Sequence, residues 1–237
     1  VVLTASNAGG SDDETKTNYI TVANGNFTWT GNAGNGDWDD GGNWDTGAIP
    51  TDSDNCIIPA GVDAIIVSGG TCANLTSNAD VNFEVGDDII VTGNFIDYGG
   101  VTILEAGGKI QVAGDATIDR IFTIISSTGE LEVEGTLTLG NGYTTQNWGT
   151  IDCNGVFNSN SATISQNADG NIEISGTVTS LSGLDVTAGT VTYDGGSEDI
   201  VSHGNPDYYN LVVSSGTRST EFNQVANDVT IGASVTL

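Results

Sequence analysis

Six aspartates, Asp37, Asp39, Asp40, Asp45, Asp52 and Asp54, stand close together in "DWDDGGNWDTGAIPTDSD". Hard carboxylate oxygens at this density are the ligand type that Ca2+ takes, so all six are candidate calcium ligands. The EF-hand spacing is not met, because Gly41 falls at the fifth loop position and Ala48 at the twelfth. A solvated acidic surface is the competing reading. Cys56 and Cys72, sixteen residues apart, are candidates for a disulfide if the chain coils back on itself. As small buried hydrophobes they would need no partner. Neither stands in a zinc-ligand spacing. The single histidine, His203, has no second histidine for a metal cluster, and a serine–histidine–aspartate triad around it would rest on composition alone. Lys109 and Arg120 lie within one repeat but not at matching positions, so no pair of cations is set to hold a substrate carboxylate. A non-enzymatic chain is expected.

Three of the four tryptophans, Trp29, Trp38 and Trp44, fall within sixteen positions of a segment otherwise made almost entirely of Gly, Asn, Asp and Thr. Two uses fit so much aromatic surface in a loop-like stretch. One is a platform on which sugar rings stack, with Trp148 as a further member. The other is a plug over the open end of an apolar core.

The charge balance narrows the partners. Four Lys plus Arg stand against 31 Asp plus Glu, a net charge of −27. Nucleic acid and anionic membrane surfaces are bound through Lys and Arg, so neither is an expected partner. The acidic surface keeps the chain soluble and attracts cations. Few lysines and no methionine fit an extracellular or cell-surface setting. No apolar run approaches 18 residues, so membrane insertion is not expected.

The elements that must position these residues are read from an internal repeat. "GKIQVAG", "GELEVEG", "GTIDCNG", "GNIEISG" and "GTVTYDG" begin at Gly108, Gly129, Gly149, Gly170 and Gly189 and close at Gly114, Gly135, Gly155, Gly176 and Gly195, in steps of 21, 20, 21 and 19. "IIVTG", closing at Gly93, and "IIVSG", closing at Gly69, fit more loosely. Within each copy apolar residues alternate with polar ones, as in Ile110/Val112, Leu131/Val133, Ile151/Cys153 and Ile172/Ile174. Period-two alternation marks a strand with one buried face. A single short strand cannot bury that face, but equivalent strands stacked from successive coils can. The expected fold is all-β: a parallel β-helix (β-solenoid), right-handed by the crossover rule, with about seven or more coils of ~20 residues. A stacked up-and-down β-sandwich is the alternative. Cys153 takes an inward position equivalent to Val133 and Ile174. Glu132, Asp152 and Glu173 form an outward acidic ladder at strand spacing, repulsive unless cations bridge it or solvent screens it.

"WTGNAGNGDWDDGGNWDTGAIPTDSDNCIIPAG" resembles the segment that opens β-helical, adhesin-like repeats in large Bacteroidetes surface proteins. "GTVTYDGGSEDIVSHGNPDYYNLVVSSGT" is similar to the "Y-N-L" repeat of the same proteins, and residues 1–22 resemble the closing strands of a PKD domain, an Ig-like module. The resemblance covers about a third of the chain. It implies a cell-surface protein of the kind exported by the type IX secretion system, with adhesion, gliding or matrix roles and no catalytic residues. The expected organisation is the terminal strands of a PKD/Ig-like module over 1–24, a Trp-rich cap over 25–60 and β-helix repeats over 61–237.

Three functions follow as expectations. The first is a structural or adhesin-like rod segment, joined to further domains of the same long chain. The second is a filament subunit, whose copies join head to tail through open β ends. The third is a polysaccharide-binding module built on Trp29, Trp38 and Trp44.

Overall fold

The computed structural model describes residues 2–7, 10–15, 25–78, 83–99, 101–196, 199–204, 206–217, 225–233 and 235. From Asn26 onward the chain is a parallel β-solenoid of about eight turns, each of roughly twenty residues, with no α-helix among the described residues. Each turn in the middle of the stack lays one short strand on each of three sheets. Sheet I has eight strands from Asn26–Thr28 to Thr177–Ser180, sheet II six from Ala64–Ile66 to Thr163–Gln166, and sheet III nine from Gly70–Cys72 to Val225–Ile231. All pairing within the three sheets is parallel, which rules out the up-and-down sandwich.

The repeat marks sheet III. Ile110 pairs with Leu131, Leu131 with Ile151 and Ile151 with Ile172, while Val112, Val133, Cys153 and Ile174 form the second inward column. All eight side chains are buried. Cys153 therefore has the inward place its alternation implies, and burial pushes its thiol up to about 11. The ladder also runs further than the repeat: Leu211 and Val213 of Tyr208–Val213 continue the two columns beyond Val191 and Tyr193.

One copy is misaligned. Ile65 and Ile66 of "IIVSG" belong to sheet II, and the sheet III strand of that turn is Gly70–Cys72, whose Cys72 pairs with Val91. Ala64–Ile66 buries apolar residues at the same period of two as the sheet III strands, so alternation alone cannot say which sheet a strand joins.

The closing glycines stack backbone on backbone at the corner between sheets III and I. Gly114 N–H donates to the Gly93 carbonyl and Gly135 N–H to that of Gly114. A Cβ at Gly155 would lie 2.2 Å from the Gly135 oxygen, and one at Gly176 1.7 Å from the Gly155 oxygen. Close approach, not positive φ, is what demands glycine there. Beside it runs a side-chain ladder. Asn74 Nδ2 donates to Asn55 Oδ1, Asn94 N–H to Asn74 Oδ1, Asp115 N–H to Asn94 Oδ1, and Thr136 N–H to Asp115 Oδ1, at 2.7–2.9 Å.

Val2–Asn7 and Gly10–Thr15 pair antiparallel in a two-stranded sheet of their own. Of the module expected over 1–24, residues 1, 8–9 and 16–24 lie outside the described residues.

Gly176→Ala should destabilise the solenoid by about 1–3 kcal/mol in urea unfolding, because a methyl has to displace the coil beneath it. Gly196→Ala, where a Cβ meets nothing within 4 Å, should leave the midpoint unchanged. Equal effects at the two sites would refute the steric account.

Candidate functional site

The tryptophan segment closes the first turn. Trp29, Trp38 and Trp44 are 1 %, 0 % and 3 % exposed and pack edge to face, with centroids 4.8 Å apart for Trp38–Trp44 and 5.1 Å for Trp29–Trp44. Trp38 lies on Gly70, the start of sheet III, where a Cβ would fall 2.2 Å from its Cγ. Phe27 adds an edge contact to Trp44 at 6.2 Å. Backbone bonds hold the plug in place. Trp29 N–H donates to the Ile57 carbonyl, and Trp38 N–H donates to Ser68 Oγ at 2.7 Å. Trp44 Nε1 donates to the Trp38 carbonyl at 3.0 Å. None of the three rings turns a face to solvent, so the stacking platform is not formed by them. Trp148 is 46 % exposed and sits far along the rod, beside the half-exposed Ile125 of the neighbouring turn.

The six aspartates do not converge. Asp37 Oδ1 accepts from Asp39 N–H and Ser68 Oγ, and Asp40 accepts from Gly42 N–H and Asn35 Nδ2. Asp45 Oδ1 accepts from Thr28 N–H. Asp52 accepts from Ser53 Oγ. Asp54 binds Gly25 N–H through one oxygen and Thr51 through the other, and the Thr51 hydroxyl is the main reason its carboxyl is held below the usual range. Three of them, Asp37, Asp40 and Asp54, cap turns, an alternative use for Asp that competes with metal ligation. Among the described residues no group of three or more His, Cys, Asp or Glu is placed to hold a metal ion.

Cys56 and Cys72 are buried free thiols in this structure, so the disulfide is not formed. They occupy inward positions in sheets I and III, and a hydrogen bond between them, with burial, pushes the Cys56 thiol far up. Their chemistry is that of core hydrophobes.

The outward acidic ladder is real. Glu132 pairs with Asp152 and Asp152 with Glu173 on sheet III. Its first member is neutralised, since Lys109 Nζ reaches Glu130 at 3.0 Å and Glu132 at 2.8 Å, and Gln111 donates to Glu132. Lys109 holds Glu132 below the usual range. Burial alone would lower Lys109, but the two carboxylates outweigh it and raise its pKa. Among the described residues no cation pairs with Asp152. Burial, then Glu173 and Glu132, push it up to about 6, and burial with Asp194 raises Glu173. The neutralising lysine was visible in the sequence once Lys109 and Glu130 are aligned at the start of successive copies. The asparagine corner ladder was visible as Asn55, Asn74, Asn94 and Asp115, spaced by about one turn. Neither signal stands out without the register.

His203 is equally structural. Its backbone N–H donates to Asp207 Oδ1 at 2.8 Å, as does that of Gly204 at 2.7 Å, and its ring stands edge-on to Tyr208 at 5.1 Å. Burial lowers its pKa, favouring the neutral imidazole.

Trp38→Ala should cost about 3–5 kcal/mol, the loss expected for a fully buried large aromatic, seen as a lower urea midpoint. An unchanged midpoint would exclude the plug. Asp152→Asn tests the ladder. The folded-state pKa of about 6 lies above the ordinary 3.8, so the folded chain binds the extra proton between those values. Stability from this group is present below about pH 4 and is lost as pH rises through about 6. The substitution should raise the unfolding midpoint at pH 7.5 and leave it nearly unchanged at pH 4. The reverse pattern would show that Asp152 is stabilised as an anion.

No protein-family model, no curated protein and no solved structure matches the chain. What the geometry establishes is the architecture: an all-β parallel β-solenoid of about eight turns with a repeat of about twenty residues.

Proposed function

We propose that this chain is a segment of an extracellular cell-surface protein, a non-enzymatic rod that spaces or displays other domains of the same long chain. The observation that carries this reading is where the reactive residue types have gone. Asp37, Asp40 and Asp54 cap turns, Asp45 ties its loop to Thr28, Cys56, Cys72 and Cys153 fill the core, the tryptophans close an end, and Asp207 orders the loop around His203. A continuous stack of turns bearing short polar side chains is a spacer by construction, because each turn depends on its neighbours and adds one strand spacing of length. The resemblance to Bacteroidetes-type repetitive surface proteins exported by the type IX system supports the same setting. Its adhesive or matrix role would fall to whatever the rod carries.

A second reading is a filament subunit, favoured by the far end of sheet III. Val229 and Ile231 pair with Leu211 and Val213 in the inward columns, yet they are 42 % and 40 % exposed. An open edge with core-type side chains takes a further strand when one is offered. The tryptophan plug weighs against simple head-to-tail stacking, since it occupies the end that such an edge would meet.

Negative-stain microscopy with light scattering on the purified chain, with calcium and with chelator, separates the readings. The rod segment predicts monomeric short particles in both conditions. Fibres would overturn it in favour of the filament. Fibres that dissolve in chelator would return the acidic residues to a cation-binding role.

A further inference from the structure

Beside the tryptophan plug a cavity of about 250 Å3 lies between the glycine-rich loop 31–36 and the segment 63–67. We infer that it binds a single uncharged sugar ring, such as the terminal residue of a glycan. This goes beyond the rod reading and does not depend on it.

One wall is apolar and uncovered. Ile65 and Val67, two residues apart, are 46 % and 55 % exposed, among the most exposed large aliphatic side chains described. The opposite wall contains an unused donor. Trp29 is 1 % exposed, and its Nε1 has no hydrogen-bond partner among the described residues. A buried N–H without a partner costs free energy, and a bound group that accepts from it recovers that loss. Gly31 leaves the approach vacant: a Cβ there would lie 3.4 Å from Trp29 Nε1 and 3.7 Å from the Asp63 carbonyl oxygen. A hydroxyl entering along that direction meets a donor and an acceptor together. This pairing suits a sugar hydroxyl, which does both.

The cavity is preformed. Val67 N–H donates to the Gly36 carbonyl at 3.0 Å, and Gly36 lies so close to the Ile65 carbonyl that a Cβ would fall 2.3 Å from it. Asn35, also in the wall, is fixed through its bonds to Asp40 and Asn43. Shape and charge limit the occupant. The volume is below the range of drug-sized sites, which limits it to about one ring. A pyranose offers an apolar C–H face for Ile65 and Val67 and hydroxyls for the polar side. Asp63 in the wall and the chain's net charge of −27 disfavour acidic sugars. Trp29 takes part through its edge, so this site differs from a stacking platform on the ring faces.

Saturation-transfer NMR on the intact chain tests the inference, with methyl β-glucopyranoside, methyl β-galactopyranoside and glucuronate as probes at about 10 mM, a concentration suited to millimolar affinity. At least one neutral glycoside should receive saturation, strongest on its ring C–H protons, and glucuronate should receive clearly less. The double variant Ile65→Ser/Val67→Ser should weaken the neutral glycoside about tenfold by removing the apolar wall. Its thermal midpoint should be kept, because both side chains are exposed. Absence of transfer from both neutral glycosides would overturn the inference. So would transfer unchanged by the double variant, or equal transfer from glucuronate.

Discussion

Each turn of this chain has to come back over itself one strand spacing higher, and the corner between sheets III and I decides whether it can. There the backbone of one turn lies on the carbonyl of the turn below, so closely that a single methyl at Gly155 or Gly176 has no room. Glycine is required by contact between neighbours, not by the local conformation of its own turn. Once the corner closes, inward positions of sheet III align without choice, and Ile falls on Leu and Val on Cys for the length of the rod. The asparagine ladder beside the corner uses side chains to the same end, each amide or carboxylate satisfying the turn above. Buried backbone polar groups must be paired, and a stack of tight corners offers them few other partners.

The same stacking that orders the core puts outward side chains at strand spacing from their equivalents, which is costly for a chain of net charge −27. The structure meets the problem unevenly. Lys109 is set between Glu130 and Glu132, a short network at the start of the acidic column. Among the described residues no cation pairs with Asp152 or Glu173, and both hold their protons more tightly. Exposed charges further apart than about 8 Å are screened at physiological salt, so the cost concentrates in neighbouring turns. One lysine therefore relieves the column locally and leaves its middle strained.

Much of the fold was legible, because the repeat is a direct imprint of the corner: glycines at steps of about twenty residues with alternation between them. That imprint revealed sheet III, Cys153 and the acidic column. Sheets I and II were not separately legible, since strands of three or four residues carry too few alternations to say which sheet they join. The misplaced "IIVSG" copy is the direct consequence, an apolar alternation read as sheet III that belongs to sheet II. The tryptophan plug was legible as one of two uses. The aspartates were misleading for a physical reason. Density along the chain says nothing about convergence in space, and Asp caps turns as readily as it binds calcium.

An end of a solenoid is where its self-sufficiency stops, and the two ends here are handled by different means. Beside the first strands Trp29, Trp38 and Trp44 form an apolar lid, with Phe27 against its edge. Such a lid fits only if the rings lie flat on backbone, which is why Trp38 rests on Gly70. Among the described residues Val225–Ile231 is the last strand of sheet III, and Val229 and Ile231 keep the core's side-chain type while 42 % and 40 % exposed. Apolar residues in register with a buried column lower the free energy when something lies on them, and the ladder edge fixes the geometry of what can.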